Sequence, residues 1–317
     1  MKPPPAAPHR PGYDAMADLR PLALDGCNAV NGAVVLVLWA AGALHDRPRL
    51  WWATAATLVC QICAAHFSTA LAFQWLARRC GARIQAATAS APREHVAAEV
   101  LQTVLGFGLV LAPLLATAAT NSSLGRPTAL TWDLRSAMPG FAVDWPAPLQ
   151  AALYGGAVVV GAALADAYNY WKHRAFHHEL LWPLHKHHHA HRNPSALTGY
   201  AISPAYSLAT FWPLLLTAWP AMRFWVPMYA PFLAFYLLLN HYLHCGYILE
   251  ALEGPLAPLC IMTSAWHNTH HERGRRGWDA KDQTFGEMTT LWDHWMGTHP
   301  HADSRAVAGG AGTEKGS

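Results

Sequence analysis

The chain has 317 residues, of which 53% are apolar and only 13% charged, about half the charged share of an ordinary globular domain. A formal net charge of +3 is too small and too scattered for nucleic-acid recognition, and six cysteines without ladder spacing exclude a disulfide scaffold. Fifteen tryptophans and ten tyrosines suit a protein with long membrane–water boundaries.

Residues 1–25, with Pro3, Pro4, Pro5, Pro8 and Pro11 among them, read as a flexible, mildly basic tail without the apolar core of a signal peptide. Asn28 to Leu44 is uncharged and reads as a first span, ended by Asp46-Arg47-Pro48-Arg49. Trp51 to Ala77 is again uncharged and long enough to cross about 30 Å of hydrocarbon. Within it, Cys60-x-x-Cys63 reads as plain lipid-facing or helix-packing cysteines, since the context of a redox motif is missing.

A basic loop with Arg78, Arg79, Arg83 and Arg93 follows, then a third uncharged run from Val100 to Thr120. Asn121 to Trp145 is a polar loop, and Ala147 to Ala165 a fourth span that ends at Asp166. Further on, Arg223 is the only charged residue between Ser195 and Leu249. Pro204–Trp219 and Phe224–Leu239 therefore read as two short apolar arms of a hairpin. The arginine count puts the N-terminus, the 78–98 loop and the histidines beyond residue 173 on the cytoplasmic side, against the dissent of Arg47 and Arg49.

Sixteen of the 20 histidines lie at or beyond residue 173, eight of them between His173 and His191. Imidazole is an awkward core group and the commonest metal ligand. Residues three and four apart share a helix face. That spacing joins His173 to His177, gathers His185, His188 and His189, and gathers His267, His270 and His271. His241 and His244, at the foot of the hairpin, add one or two more. If the clusters share one site, the chain between them crosses the membrane an even number of times, which a hairpin satisfies.

So many nitrogen donors exceed the capacity of one metal ion and suit two ions of the iron, copper or zinc type. Asp166, two helical turns before His173, is expected to accept a hydrogen bond from a ligand imidazole, with Asn268 as a second support. Glu179 and Glu272 are candidate carboxylate ligands. His178, His187 and His191 fall off the helical pattern and read as solvent or phosphate contacts; His294, His299 and His301 read as surface groups. Arg275 and Arg276 read as lipid-headgroup anchors.

The order H-x3-H, H-x2-H-H, a histidine after an apolar hairpin, then H-x2-H-H resembles the fatty acid hydroxylase/sterol desaturase superfamily of membrane di-iron oxygenases. Supporting strings are D-A-Y-N-Y-W-K-H-R (166–174), L-W-P-L-H-K-H-H-H (181–189), H-C-G-Y (244–247), W-H-N-T-H-H (266–271) and F-G-E-M-T-T-L-W-D-H-W-M-G-T (285–298). The likeness covers about residues 148–300.

It implies an all-α, multi-pass membrane bundle with a cytoplasmic histidine-rich helical cap. Composition and the uncharged runs set a flexible tail 1–25, transmembrane helices 26–147 and a disordered tail 302–317 around this catalytic domain at 148–301. His173, His177, His185, His188, His189, His244, His267, His270 and His271 are then the ligands of two iron ions, which zinc may replace in a purified sample, with His241 a possible tenth. The implied reaction uses O2 and electrons from a separate ferredoxin or cytochrome b5-like donor to hydroxylate or desaturate a lipid C–H bond. The sterol-acting members usually carry His-Pro after the second box, where this chain reads Ile202-Ser203-Pro204. Sterol desaturation or sterol methyl oxidation is the alternative within the family.

A metal transporter is the alternative from another class, but its ligands belong within the spans, where only His66 lies. A zinc hydrolase needs fewer ligands per metal.

Overall fold

The structure, a computed structural model, describes residues 26–85, 99–133, 145–189, 191–221, 224–273, 277–280 and 283–299. The expected tails 1–25 and 302–317 lie outside these residues, as do Arg93, Arg223, Arg275, Arg276 and His301.

The described chain is almost wholly helical. α1 (Gly26–Ala40) runs on into a 3₁₀ turn, Ala41–Leu44. α2 (Pro48–Cys80) starts on a proline, which costs a helix nothing in its first turn, and ends on Arg78 and Arg79, whose charges suit the negative end of the helix dipole. At 33 residues it is about 50 Å long, more than a bilayer core requires. α3 (Glu99–Ser123) and α4 (Ala147–Phe176) are the other two helices long and apolar enough to cross a membrane. The first expected span is a shorter apolar helix, Ala29–Leu44.

The burial pattern is that of a membrane protein turned inside out. On α4, Val159, Val160 and Leu164 are more than 60% exposed, whereas Asp166, Asn169, Lys172, His173 and Arg174 are buried. Lipid takes the apolar surface, and the polar end of the helix is packed into protein.

α3 is the most enclosed of the three. Its stretch Thr103–Gly108 is a π-helical segment, wound wider than an α-helix. Here the backbone of Ile202 comes so close to Gly106 that a Cβ on that residue would collide with the Ile202 carbonyl oxygen. Gly108 faces Cys63 Sγ, so Cys63 packs between α2 and α3 while Cys60 is exposed.

α5 (Trp182–His189) follows α4 after a tight turn. The hairpin then forms as expected. Its first arm is α6 (Pro204–Phe211) with a 3₁₀ continuation, Trp212–Ala218, and its second is α7 (Val226–Leu243). Ser203 caps α6 by accepting the Tyr206 N–H, which gives the Ser-Pro pair a structural role at that place. α8 (Glu250–Leu256), α9 (Ser264–Arg273) and α10 (Leu291–Met296) complete the chain.

Two tiny sheets tie distant loops together. Strand β1 (Ala82–Arg83) pairs antiparallel with β4 (Tyr247–Ile248), and β2 (Leu130–Thr131) pairs parallel with β3 (Phe224–Trp225). The first joins the end of α2 to the segment after α7, and the second joins the hairpin tip to the loop after α3.

The glycines of α3 and α4 offer a paired test. Gly106→Ala should destabilise the detergent-solubilised protein by about 1–3 kcal/mol, because the added methyl meets backbone rather than a movable side chain. Gly156→Ala on α4 meets nothing within 4 Å and should be neutral or stabilising by up to ~1 kcal/mol. Thermal unfolding of both variants checks this; equal melting temperatures would refute the close α3–Ile202 contact.

Candidate metal centre

Four segments deliver the histidines to one place. α4 ends with His173 in its last turn and His177 as its C-cap residue. The turn that follows reverses the chain so that α5 presents His185, His188 and His189 back to them. His244 is the C-cap residue of α7, and α9 supplies His267, His270 and His271. All nine are at most 6% exposed.

They separate into two groups: His173, His177, His185, His189 and His270 in one, and His188, His244, His267 and His271 in the other. Within each group the candidate ligand atoms lie within 4.8 Å of one another. Nε2 atoms face each other directly at 3.1 Å between His189 and His185, 3.0 Å between His270 and His189, 3.2 Å between His244 and His188, and 3.1 Å between His267 and His244.

These spacings test whether the donors fit a metal ion. With metal–nitrogen bonds of about 2.1 Å, neighbouring ligands of an octahedral ion stand roughly 3.0 Å apart and those of a tetrahedral ion roughly 3.4 Å apart. The observed approaches match such polyhedral edges. Buried Nε2 atoms of His173 and His271 have no hydrogen-bond partner, which is costly unless a cation takes their lone pairs.

The outer nitrogens are held in the complementary way. The Nδ1–H of His173 donates to the Phe285 carbonyl at 3.0 Å, that of His244 to Asn240 at 2.8 Å, and that of His271 to His191 at 3.1 Å. Such bonds fix the tautomer that leaves Nε2 free to ligate. The Gln283 side-chain amide lies 2.8 Å from His270 Nδ1, and the same tautomer follows when its oxygen faces the ring.

Burial first, and neighbouring imidazoles second, drive the proton affinities of His185, His188, His189, His267, His270 and His271 well below the ordinary histidine value. Burial likewise pulls His244 down to about 4. Neutral imidazole is the ligating form, so the protein environment prepares donors for a metal of the iron, copper or zinc kind.

The structure places the other candidates apart from the two groups. His241 is in neither: its Nδ1–H donates to the Ala196 carbonyl and its ring lies 5.0 Å from that of His66. The Asp166 carboxylate accepts the backbone N–H and the hydroxyl of Thr289, at 3.0 and 2.6 Å. Asn268 accepts from Gln85 at 2.8 Å and so ties α9 to the segment after α2. Glu179 and Glu272 are exposed and outside both groups. His191 is buried, with its ring nitrogens 3.2 Å from Gln102 and 3.6 Å from Glu99.

Sequence reasoning missed the roles of Gln283, Phe285 and Glu287, although the last two lie in the string 285–298. It also missed Asp293, which accepts the N–H groups of Phe285 and Gly286 at 2.8 and 3.1 Å and so holds the loop against His173. Burial raises the Asp293 carboxyl to about 6.

A cavity opens beside the two groups. It is walled by His173 from one group and by His188, His244 and His267 from the other. Tyr200, Phe211, Tyr236 and Leu243, from the hairpin and the loop before it, supply its apolar side.

The depressed histidine affinities set a pH dependence. Below about pH 6.5 the unfolded chain protonates its histidines while the folded clusters resist, so the unfolded state binds more protons and stability falls with falling pH. Metal-stripped protein should therefore unfold at clearly lower temperature at about pH 5 than at about pH 7.5. Equal or higher stability in acid would contradict the packing of neutral imidazoles.

Comparison with known proteins agrees with this geometry. A family model described as fatty acid hydroxylase matches residues 158–298, a segment that contains all nine clustered histidines and the loop that buttresses them. No curated protein and no solved structure matches the chain. Residues 158–298, a little under half of the chain, are thus similar to the fatty acid hydroxylase family.

Proposed function

We propose that the protein is a membrane-embedded di-iron oxygenase that uses O2 and external electrons to hydroxylate or desaturate a lipid C–H bond. The observation that carries this reading is the pair of buried histidine groups sharing one cavity whose other wall is the apolar hairpin. The five-histidine group would hold one iron and the four-histidine group the other. Iron bound there supplies O2-dependent oxidising power that amino-acid side chains lack.

The chain's own residues do the rest. The Nδ1 bonds to Phe285, Asn240 and His191 orient the rings, and the buried surroundings exclude water from the reacting C–H bond. α6 and α7 form an apolar approach along which a lipid chain reaches the cavity from the bilayer. Electrons come from a separate ferredoxin or cytochrome b5-like protein, on the side marked by Arg78, Arg79 and Arg83, which the positive-inside rule makes cytoplasmic. A sterol as substrate is the alternative within the family. Metal transport is disfavoured by the enclosure of the nine histidines at helix ends, away from the exposed apolar faces.

Detergent-purified protein from iron-supplied cells should contain about two iron atoms per chain, allowing for displacement by zinc, and should form an oxidised lipid when given O2 and a reductant. His270→Ala removes a member of one group and His188→Ala a member of the other. Each should lower product formation by at least about 100-fold and reduce bound iron. Full iron content and activity in either variant would refute the assignment.

A further inference from the structure

α2 carries two glutamines, and the fold treats them differently. Gln74 turns inward: its side-chain amide donates to the Cys245 carbonyl at 3.1 Å and accepts the Ala196 N–H at 2.7 Å. Gln61 is exposed on the opposite side of the helix from buried His66, Ala70 and Ala77, and among the described residues it has no hydrogen-bond partner. Thr57 and Ser68 lie on the same outward face, but their hydroxyls donate back to their own helix, to Ala53 at 2.9 Å and Ala65 at 3.1 Å. On this face, Gln61 is the side chain whose donor and acceptor are both open.

Its depth makes that costly. Trp52 and Trp75 are exposed near the two ends of α2, and Arg79 sits 4.5 Å over the Trp75 ring, an arrangement suited to the membrane–water boundary. Along the helix the two tryptophans are about 35 Å apart, close to the thickness of the hydrocarbon core. Gln61 then lies about 13 Å inside the Trp52 boundary and about 21 Å inside that of Trp75, too deep for its side chain to reach water. In hydrocarbon an unpaired amide costs more than one hydrogen bond elsewhere returns. The lipid-facing side of α4 carries Val159, Val160 and Leu164 instead.

We infer that the outward face of α2 is the contact between two copies of this chain, with the Gln61 amides of the two copies hydrogen-bonded to each other. A primary amide is donor and acceptor at once. Copies inserted in the same orientation hold this residue at the same depth, so a two-fold axis along the membrane normal closes two reciprocal N–H···O=C bonds and satisfies both amides. Another helix would need its own open amide at that depth, whereas a second copy brings one by necessity. The residues around Gln61 admit the approach: Ala53, Thr57, Ala64 and Ser68 are small, exposed and three or four apart along the face. The inference needs α2 to cross the bilayer and is independent of the oxygenase reading.

The test is energy transfer between donor- and acceptor-labelled full chains in phosphatidylcholine vesicles, over a range of protein-to-lipid ratios. Wild type should pair as its density rises. Gln61→Leu should move the midpoint of pairing to at least about tenfold higher density, since two interhelical hydrogen bonds are lost. Its thermal unfolding in dilute detergent should match wild type, which separates lost pairing from lost folding. With Cys60→Ala and Cys80→Ala in place, Gln61→Cys should give an intermolecular disulfide under mild oxidation, and Gly156→Cys on α4 should not.

Single wild-type chains at every density, a midpoint unmoved by Gln61→Leu, or cross-linking of Gly156→Cys as readily as of Gln61→Cys would each overturn the inference. So would early unfolding of Gln61→Leu, because Gln61 would then be packed inside its own chain. A Gln61→Cys adduct in native membranes that holds a different protein in place of a second copy would overturn it as well.

Discussion

The fold is built around the cost of crowding nine buried, neutral imidazoles, six of which bring their Nε2 atoms to 3.0–3.2 Å from one another. Lone pair against lone pair in a dry interior is unfavourable, and burial of polar nitrogen without a partner adds to the cost. A cation at the centre of each group would turn both penalties into bonds. Until one binds, packing around the groups must hold the rings in position. That explains why the outer nitrogens of His173, His244 and His271 are tied to backbone carbonyls, which cannot turn away as a side chain can.

The same demand explains the division of labour along the helices. α4 has one end for lipid and one for the histidines, so anchoring in the bilayer and ring placement are properties of one rigid rod. α3 is shaped to let the loop before α6 approach: its π-helical turn and Gly106 admit the Ile202 backbone. The loop from Gln283 to Thr289 closes the structure over the first group, pinned by Asp293 at one end and Asp166 at the other. Membrane span, histidine groups and cavity are thus one mechanical unit.

Much of this was legible in the sequence because helix geometry makes it local. Three- and four-residue spacings place His185, His188 and His189 together whatever else the chain does, and uncharged runs mark the long helices. The choice between His241 and His244 was not legible. Both lie at the end of α7, but His244 sits in the cap, with φ −96° and ψ 0°, where the backbone leaves the helix and swings its ring away from the side facing His66. The partner of Asp166 was not legible for a reason of distance: seven residues along a helix share a face but are about 10 Å apart. Gln283, Phe285 and Glu287 come from an irregular loop, which has no period from which to read a direction.

The central claim is that the nine histidines form two adjacent metal positions, one enclosed by five rings and the other by four. Anomalous diffraction from crystals of the iron-loaded protein, collected at the iron edge, tests it most directly. Two peaks are predicted, one among His173, His177, His185, His189 and His270 and one among His188, His244, His267 and His271. A single peak, or a peak against His241 and His66, would contradict it.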